Sequence, residues 1–196
     1  MRRPTLLPDP SITVVSGLPR AGTSLMMQML AAGGLPPLTD GVRPPDDDNP
    51  HGYFEFDPTK RLATDAAWMG GACGKAIKVV SALLRHLPAG FAYDILFMHR
   101  PLDEILASQA TMLDRRGTPS PEAVPGTLAA AFTQHLRDLD RWLETQRHLR
   151  VLRIAYDDLV QAPAPQAVRV AEFLGRPLDV DRMAAAVEPT LYRHRS

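Results

Sequence analysis

The sequence predicts an α/β protein in which a parallel sheet is flanked by helices, and three observations carry that expectation. Short β-branched runs alternate with helical patterns along the 196 residues. The connections between successive strands are long enough for crossovers. The first strand runs through a glycine-bounded turn straight into an apolar helix.

Ile12 to Val15 is the first strand, and Leu25 to Ala32 is a helix that ends at Gly33-Gly34. From Leu35 to Pro58 prolines, glycines and aspartates crowd together, which reads as a long functional loop. Helical pattern returns from about Thr59 to Met69, a Gly-rich break follows, and Ala76 to Val80 is the second strand. A short helix over 81–87 leads to the third strand, Tyr93 to Met98, which runs into His99-Arg100-Pro101 and a helix over 102–115. After a Pro/Gly/Ser loop (117–126), Leu128, Phe132, Leu136, Leu139 and Leu143 recur at helical spacing. The last strand is Val151 to Ala155, and Pro165 to Leu174 is a helix closed by Gly175. No repeat or linker divides the chain, so residues 1–196 read as one domain.

Composition sets outer bounds. Hydrophobic residues make up 45% and charged residues 22%, ordinary for a chain with a buried core. The 22 basic and 22 acidic side chains cancel, so no global field draws the protein to nucleic acid or to a membrane surface, and any anion site must be local. The single cysteine, Cys73, excludes an internal disulfide. With no apolar run long enough for a signal peptide or a membrane span, the expected location is the cytoplasm.

The chemistry begins at Gly17-Leu-Pro-Arg-Ala-Gly-Thr-Ser24. A Walker A loop reads G-x-x-x-x-G-K-[ST], with its Lys on the β/γ-phosphates and its hydroxyl on Mg²⁺. Here Thr23 stands at the Lys position and Arg20 supplies the positive charge. The first N–H groups of the following helix have no intrahelical partners, and the helix dipole adds partial positive charge, so the turn is still an anion site. Arg20 suits bidentate recognition of phosphate or sulfate. The loop reads as one built for an anion without a metal.

Pro19-Arg-Ala-Gly-Thr-Ser24 resembles the 5′-phosphosulfate loop of sulfotransferases that use 3′-phosphoadenosine 5′-phosphosulfate (PAPS). The resemblance implies that Pro19, Arg20, Ala21, Gly22, Thr23 and Ser24 bind the nucleotide, within a P-loop NTPase-like three-layer fold. A second element has Arg100 at a strand's carboxyl end and Ser108 two helical turns on. It resembles the 3′-phosphate element of the same enzymes, where a strand-end Arg precedes a Ser by eight residues. Tyr156-Asp-Asp-Leu and Phe173-Leu-Gly175 resemble a third shared tract, whose own reading is packing. By the same resemblance the basic tail assigns Arg193 and Arg195 to the 3′-phosphate, the alternative being a frayed terminus.

Sulfuryl transfer asks for an in-line acceptor hydroxyl, a base for its proton, and positive charge where the leaving phosphate oxygen develops charge. Lys78 is the candidate cation, because alternation along the strand turns Ile77 and Val79 to the opposite face. It stands where tyrosyl-protein sulfotransferases, which this stretch resembles, carry a catalytic Lys, although Val79-Val80 replaces their Asp-Pro. The alternative is a lysine that merely edges the sheet. For the base, Asp40 falls near the carboxylate of those enzymes and is the first choice. Glu55 in Asn49-Pro-His-Gly-Tyr-Phe-Glu55 and His51 in the same tract follow it. The run Asp46-Asp47-Asp48 reads as solvated rather than metal-binding.

The expected activity is therefore sulfuryl transfer from PAPS to a hydroxyl or amine, leaving 3′-phosphoadenosine 5′-phosphate (PAP), with no metal and a small-molecule acceptor favoured. Two rivals stand beside it. A small-molecule kinase would need a Mg²⁺-holding Asp at a strand's end and the loop Lys. A non-catalytic nucleotide-binding protein would keep the loops without the chemistry.

Overall fold

A computed structural model describes residues 11–42, 52–115 and 125–187. Four strands form one all-parallel sheet in the order β2-β1-β3-β4: β1 Ile12–Gly17, β2 Ala76–Lys78, β3 Tyr93–His99 and β4 Leu149–Ala155. The chain steps from β1 outward to β2, returns past β1 to β3, and continues to β4. The sequence direction thus reverses at β1, and in open α/β sheets that reversal places the ligand crevice beyond the carboxyl end of the strand.

Alternating side chains bury both faces of the sheet. On one face Val15, Ala76, Leu96, Met98 and Ile154 pack against α1 (Thr23–Ala32), α4 (Tyr156–Gln161), α5 (Pro163–Leu174) and α6 (Val180–Ala185). On the other, Val14, Ile77, Val79, Ile95 and Phe97 meet Leu139 and Leu143 of α3 (Pro125–Thr145), together with Leu62, Met69 and Leu84. α2 (Leu102–Arg115) leaves β3 at its carboxyl end and contributes Ile105 to the first face. The result is a three-layer α/β fold of the P-loop-like kind.

Several elements differ from the sequence expectation. Residues 59–69 and 81–87 do not form α-helix: the segments Asp57–Arg61, Ala67–Ala72 and Ser81–His86 are short 3₁₀ helices. The Gly70-Gly71 pair and Pro88 keep the second and third of these segments from continuing as α-helix. β2 stops at Lys78 rather than Val80, and β4 begins two residues early, at Leu149. The short helices α4 and α6 were not expected. Asp179 caps α6, its carboxylate accepting from the Arg182 backbone N–H at 3.0 Å.

Candidate functional site

β1 delivers the chain into the crevice at Gly17, and the turn that follows is held in a shape few residues adopt. Arg20 has φ 72° and Gly22 has φ 96°, both left-handed, while the Ala21 N–H closes the turn on the Leu18 carbonyl at 3.1 Å. Left-handed residues within such a turn are the backbone pattern from which anion-binding nests are built. Gly22 caps α1 and no side chain caps that end. Thr23 and Ser24 are half-buried at the helix start, and Pro19 is exposed on the outer rim.

A lysine from the neighbouring strand reaches the loop. Val15 and Lys78 are register partners in the parallel β1/β2 pair, and Ile77 and Val79 are buried in the opposite core, so Lys78 projects on the α1 face. Its Nζ donates to Ser24 Oγ at 2.8 Å and to the Tyr53 carbonyl at 2.9 Å. In a Walker loop the hydroxyl at the Ser24 position holds Mg²⁺; here an ammonium group sits on it.

On the β3 side, Arg100 and Ser108 both reach the loop, through different parts of Arg20. Ser108 Oγ accepts from Nε of Arg20 at 3.0 Å. Arg100 is buried, and its Nε is held by Glu104 Oε2 at 2.8 Å. Its Nη1 donates to the Arg20 carbonyl at 3.3 Å, and its guanidinium lies 4.6 Å from the centre of the Tyr156 ring. Burial raises the Tyr156 phenol above its ordinary value, against a smaller opposing pull from the Arg100 charge. Sequence reasoning missed Glu104, although its i, i+4 spacing from Arg100 on a helix was the available signal.

The two described carboxylate candidates are distinct in kind. Asp40 is fully exposed and accepts from the backbone N–H groups of Asp57 at 2.6 Å and Val42 at 3.0 Å. Those bonds hold its carboxyl below the usual range, which describes a turn-forming residue and a weak base. Glu55 is half-buried and follows Tyr53 and Phe54. The Tyr53 carbonyl touches Lys78, and Phe54 is held at φ 51°. Strained backbone of this kind persists only where the surroundings over-determine it, and it clusters at functional sites. His51, Asp46, Asp47, Asp48, Arg193 and Arg195 lie outside the described residues.

Asp94, the one β3 aspartate, pairs in register with Thr13 near the amino end and is tied to Ser11 and Arg150. It stands away from the anion loop. An open cleft of about 740 Å³ borders Arg100 on the β4 side, lined among others by His99, Arg137, Arg153 and Asp158. No helix among the described residues is long and apolar enough to cross a membrane.

A parallel sheet with a glycine-bounded turn at its switch point, a lysine brought in from the next strand and an arginine at the end of the third defines a P-loop-like α/β protein. The model of the sulfotransferase family matches residues 51–180, about two-thirds of the chain, which includes Lys78, Arg100 and Ser108. The chain belongs to the sulfotransferase family. Among solved structures it is similar to the sulfotransferase domain of the Synechococcus PCC 7002 olefin synthase, with TM-score 0.54 and 17% identity, covering 100% of this chain and 86% of that one. It is also similar to the sulfotransferase domain from the curacin biosynthetic pathway, with TM-score 0.52 and 17% identity, covering 93% and 89%. At those identities the likeness concerns the fold. No curated protein sequence matches the chain significantly.

Proposed function

We propose that the protein transfers a sulfuryl group from PAPS to a hydroxyl or amine of a small-molecule acceptor without a metal ion. The observation that carries the reading is the Lys78–Ser24 contact at 2.8 Å. An ammonium group occupies the hydroxyl that a metal-dependent loop reserves for Mg²⁺, at the N-terminus of the anion-binding helix. The donor set fits a phosphosulfate: backbone N–H groups at Gly22 to Ser24, the Thr23 and Ser24 hydroxyls, and the Arg20 guanidinium.

In this scheme the acceptor oxygen bonds to sulfur as the bridging S–O bond to the 5′-phosphate breaks. The acceptor's proton passes to a carboxylate, and the electron pair of the broken bond stays on the phosphate oxygen of PAP. Lys78 and the loop N–H groups stabilise that developing charge. Glu55 is the better base of the two described carboxylates, since Asp40 spends both oxygens on backbone donors. Arg100 and Ser108 line the side of the loop on which a 3′-phosphate would be recognised.

Thermal-shift titration with PAP, ADP and ATP–Mg²⁺ tests the reading, because a ligand that binds the folded state raises apparent stability by mass action. PAP should stabilise the protein in EDTA, and ADP much less. Equal shifts for PAP and ADP, or a requirement for Mg²⁺, would replace the reading with a phosphoryl-transfer one.

A further inference from the structure

Arg20 is tied at both ends, to Arg100 in the junction between β3 and α2 and to Ser108 of α2. Its carbonyl accepts from Arg100 and its Nε donates to Ser108. A non-glycine residue at φ 72° returns to ordinary backbone unless something holds it, and the donor that reaches its carbonyl belongs to a buried side chain. Arg100 is itself fixed from two further directions. Glu104 holds Nε, with 7% of the Arg100 side chain and 3% of the Glu104 side chain exposed, and the Tyr156 ring supports the guanidinium plane. The same ring packs against Gly22 at the start of α1. One cluster therefore touches the anion loop both before and after Ala21.

A buried carboxylate beside an anion site is unfavourable for the anion unless it does something else. It pairs with Arg100 at 2.8 Å, and Arg100 in turn reaches the Arg20 carbonyl. The geometry points to Glu104 as a positioning residue for the loop: by orienting Arg100 it holds Arg20 left-handed and presents the Arg20 guanidinium to the anionic end of the nucleotide at one fixed place. This rests on the nucleotide reading above, and it assigns part of the work of Arg100 to shaping the loop.

The test is a double-mutant cycle between Glu104 and Arg20, read by PAP titration on the full chain. Glu104→Gln keeps the shape and one acceptor while removing the charge. It should weaken PAP binding about tenfold in the wild-type background and less than about twofold when Arg20 is already Ala, a coupling within the range seen for contacting networks. If Arg20→Ala binds too weakly to titrate, Arg20→Lys supplies the second background, with the same reduced effect expected. Apo melting temperatures separate a folding defect from a loop defect, and Glu104→Asp should recover affinity only in part. If wild type binds PAP and Glu104→Gln costs the same factor in every background, or costs nothing, the positioning role is wrong while the nucleotide reading stands. If wild type does not bind PAP, both fall together.

Discussion

Gly22 lies flat against the ring of Tyr156: a β-carbon built on Gly22 would stand 2.4 Å from Cδ2 of the tyrosine. The loop and the start of α4 are thus in contact at a distance only a hydrogen atom permits. Gly22→Ala should cost about 3 kcal/mol of stability, the sum of overpacking and of left-handed backbone in a residue with a side chain. Denaturant unfolding measures it. A loss below about 1 kcal/mol would mean that the ring moves aside freely.

Lys78→Met removes the cation while keeping most of the stem. Because the proposed role is to meet charge that develops as the S–O bond breaks, turnover should fall by roughly 10²-fold or more with PAP affinity little changed. Steady-state kinetics with a phenolic acceptor found by screening, set beside PAP titration, make the comparison. Loss of binding with unchanged turnover would reverse the assignment.

The two carboxylates should separate cleanly. Glu55→Gln is expected to lower kcat by about 10²-fold or more, the usual contribution of a general base. Asp40→Asn should leave kcat near wild type and lower the melting temperature, since its oxygens hold the Asp57 and Val42 N–H groups. The opposite pattern would make Asp40 the base.

A pH effect on stability follows from His135, whose Nε2 lies 2.9 Å from the buried Ser81 Oγ. Burial first, and then the neighbouring Arg85 charge, lower its pKa below the ordinary 6.5, against a smaller opposing pull from Asp138. The unfolded chain therefore takes up the proton first. The stabilisation is fully present above about pH 6.5 and is lost as pH falls through the lower folded value. Burial shifts His148 in the same direction. Wild type should lose more melting temperature between pH 7.5 and 5.5 than His135→Gln does; equal losses would remove His135 from the account.

Much of the site was readable because short-range rules govern it. Strand alternation placed Lys78 opposite Ile77 and Val79, and the strand, glycine-bounded turn and apolar helix stand where the sequence puts them. The remainder depended on contacts that spacing does not encode. The eight-residue interval from Arg100 to Ser108 puts both at one edge, but whether Ser108 meets Arg100 or Arg20 depends on how α2 lies against β1. Asp40 and Glu55 look alike in sequence; only the backbone donors around Asp40 separate a turn former from a candidate base. The stretches 57–72 and 81–86 carry helical composition, yet they form only short 3₁₀ segments, two of which end at a glycine pair and before Pro88. Six-residue helices such as α4 show too few turns for periodicity to register.

The pairing of Val15 with Lys78 makes the cation a matter of strand register. Sliding β2 by a single residue against β1 would turn Lys78 to the far side of the sheet and bring an aliphatic neighbour to Ser24. A one-residue deletion between Gly70 and Lys75 would then disarm the protein while every proposed catalytic side chain is still present. Extra residues in a surface connection add only a slowly growing closure entropy. Length changes near the site should accordingly be tolerated or fatal according to whether they reach this three-residue strand.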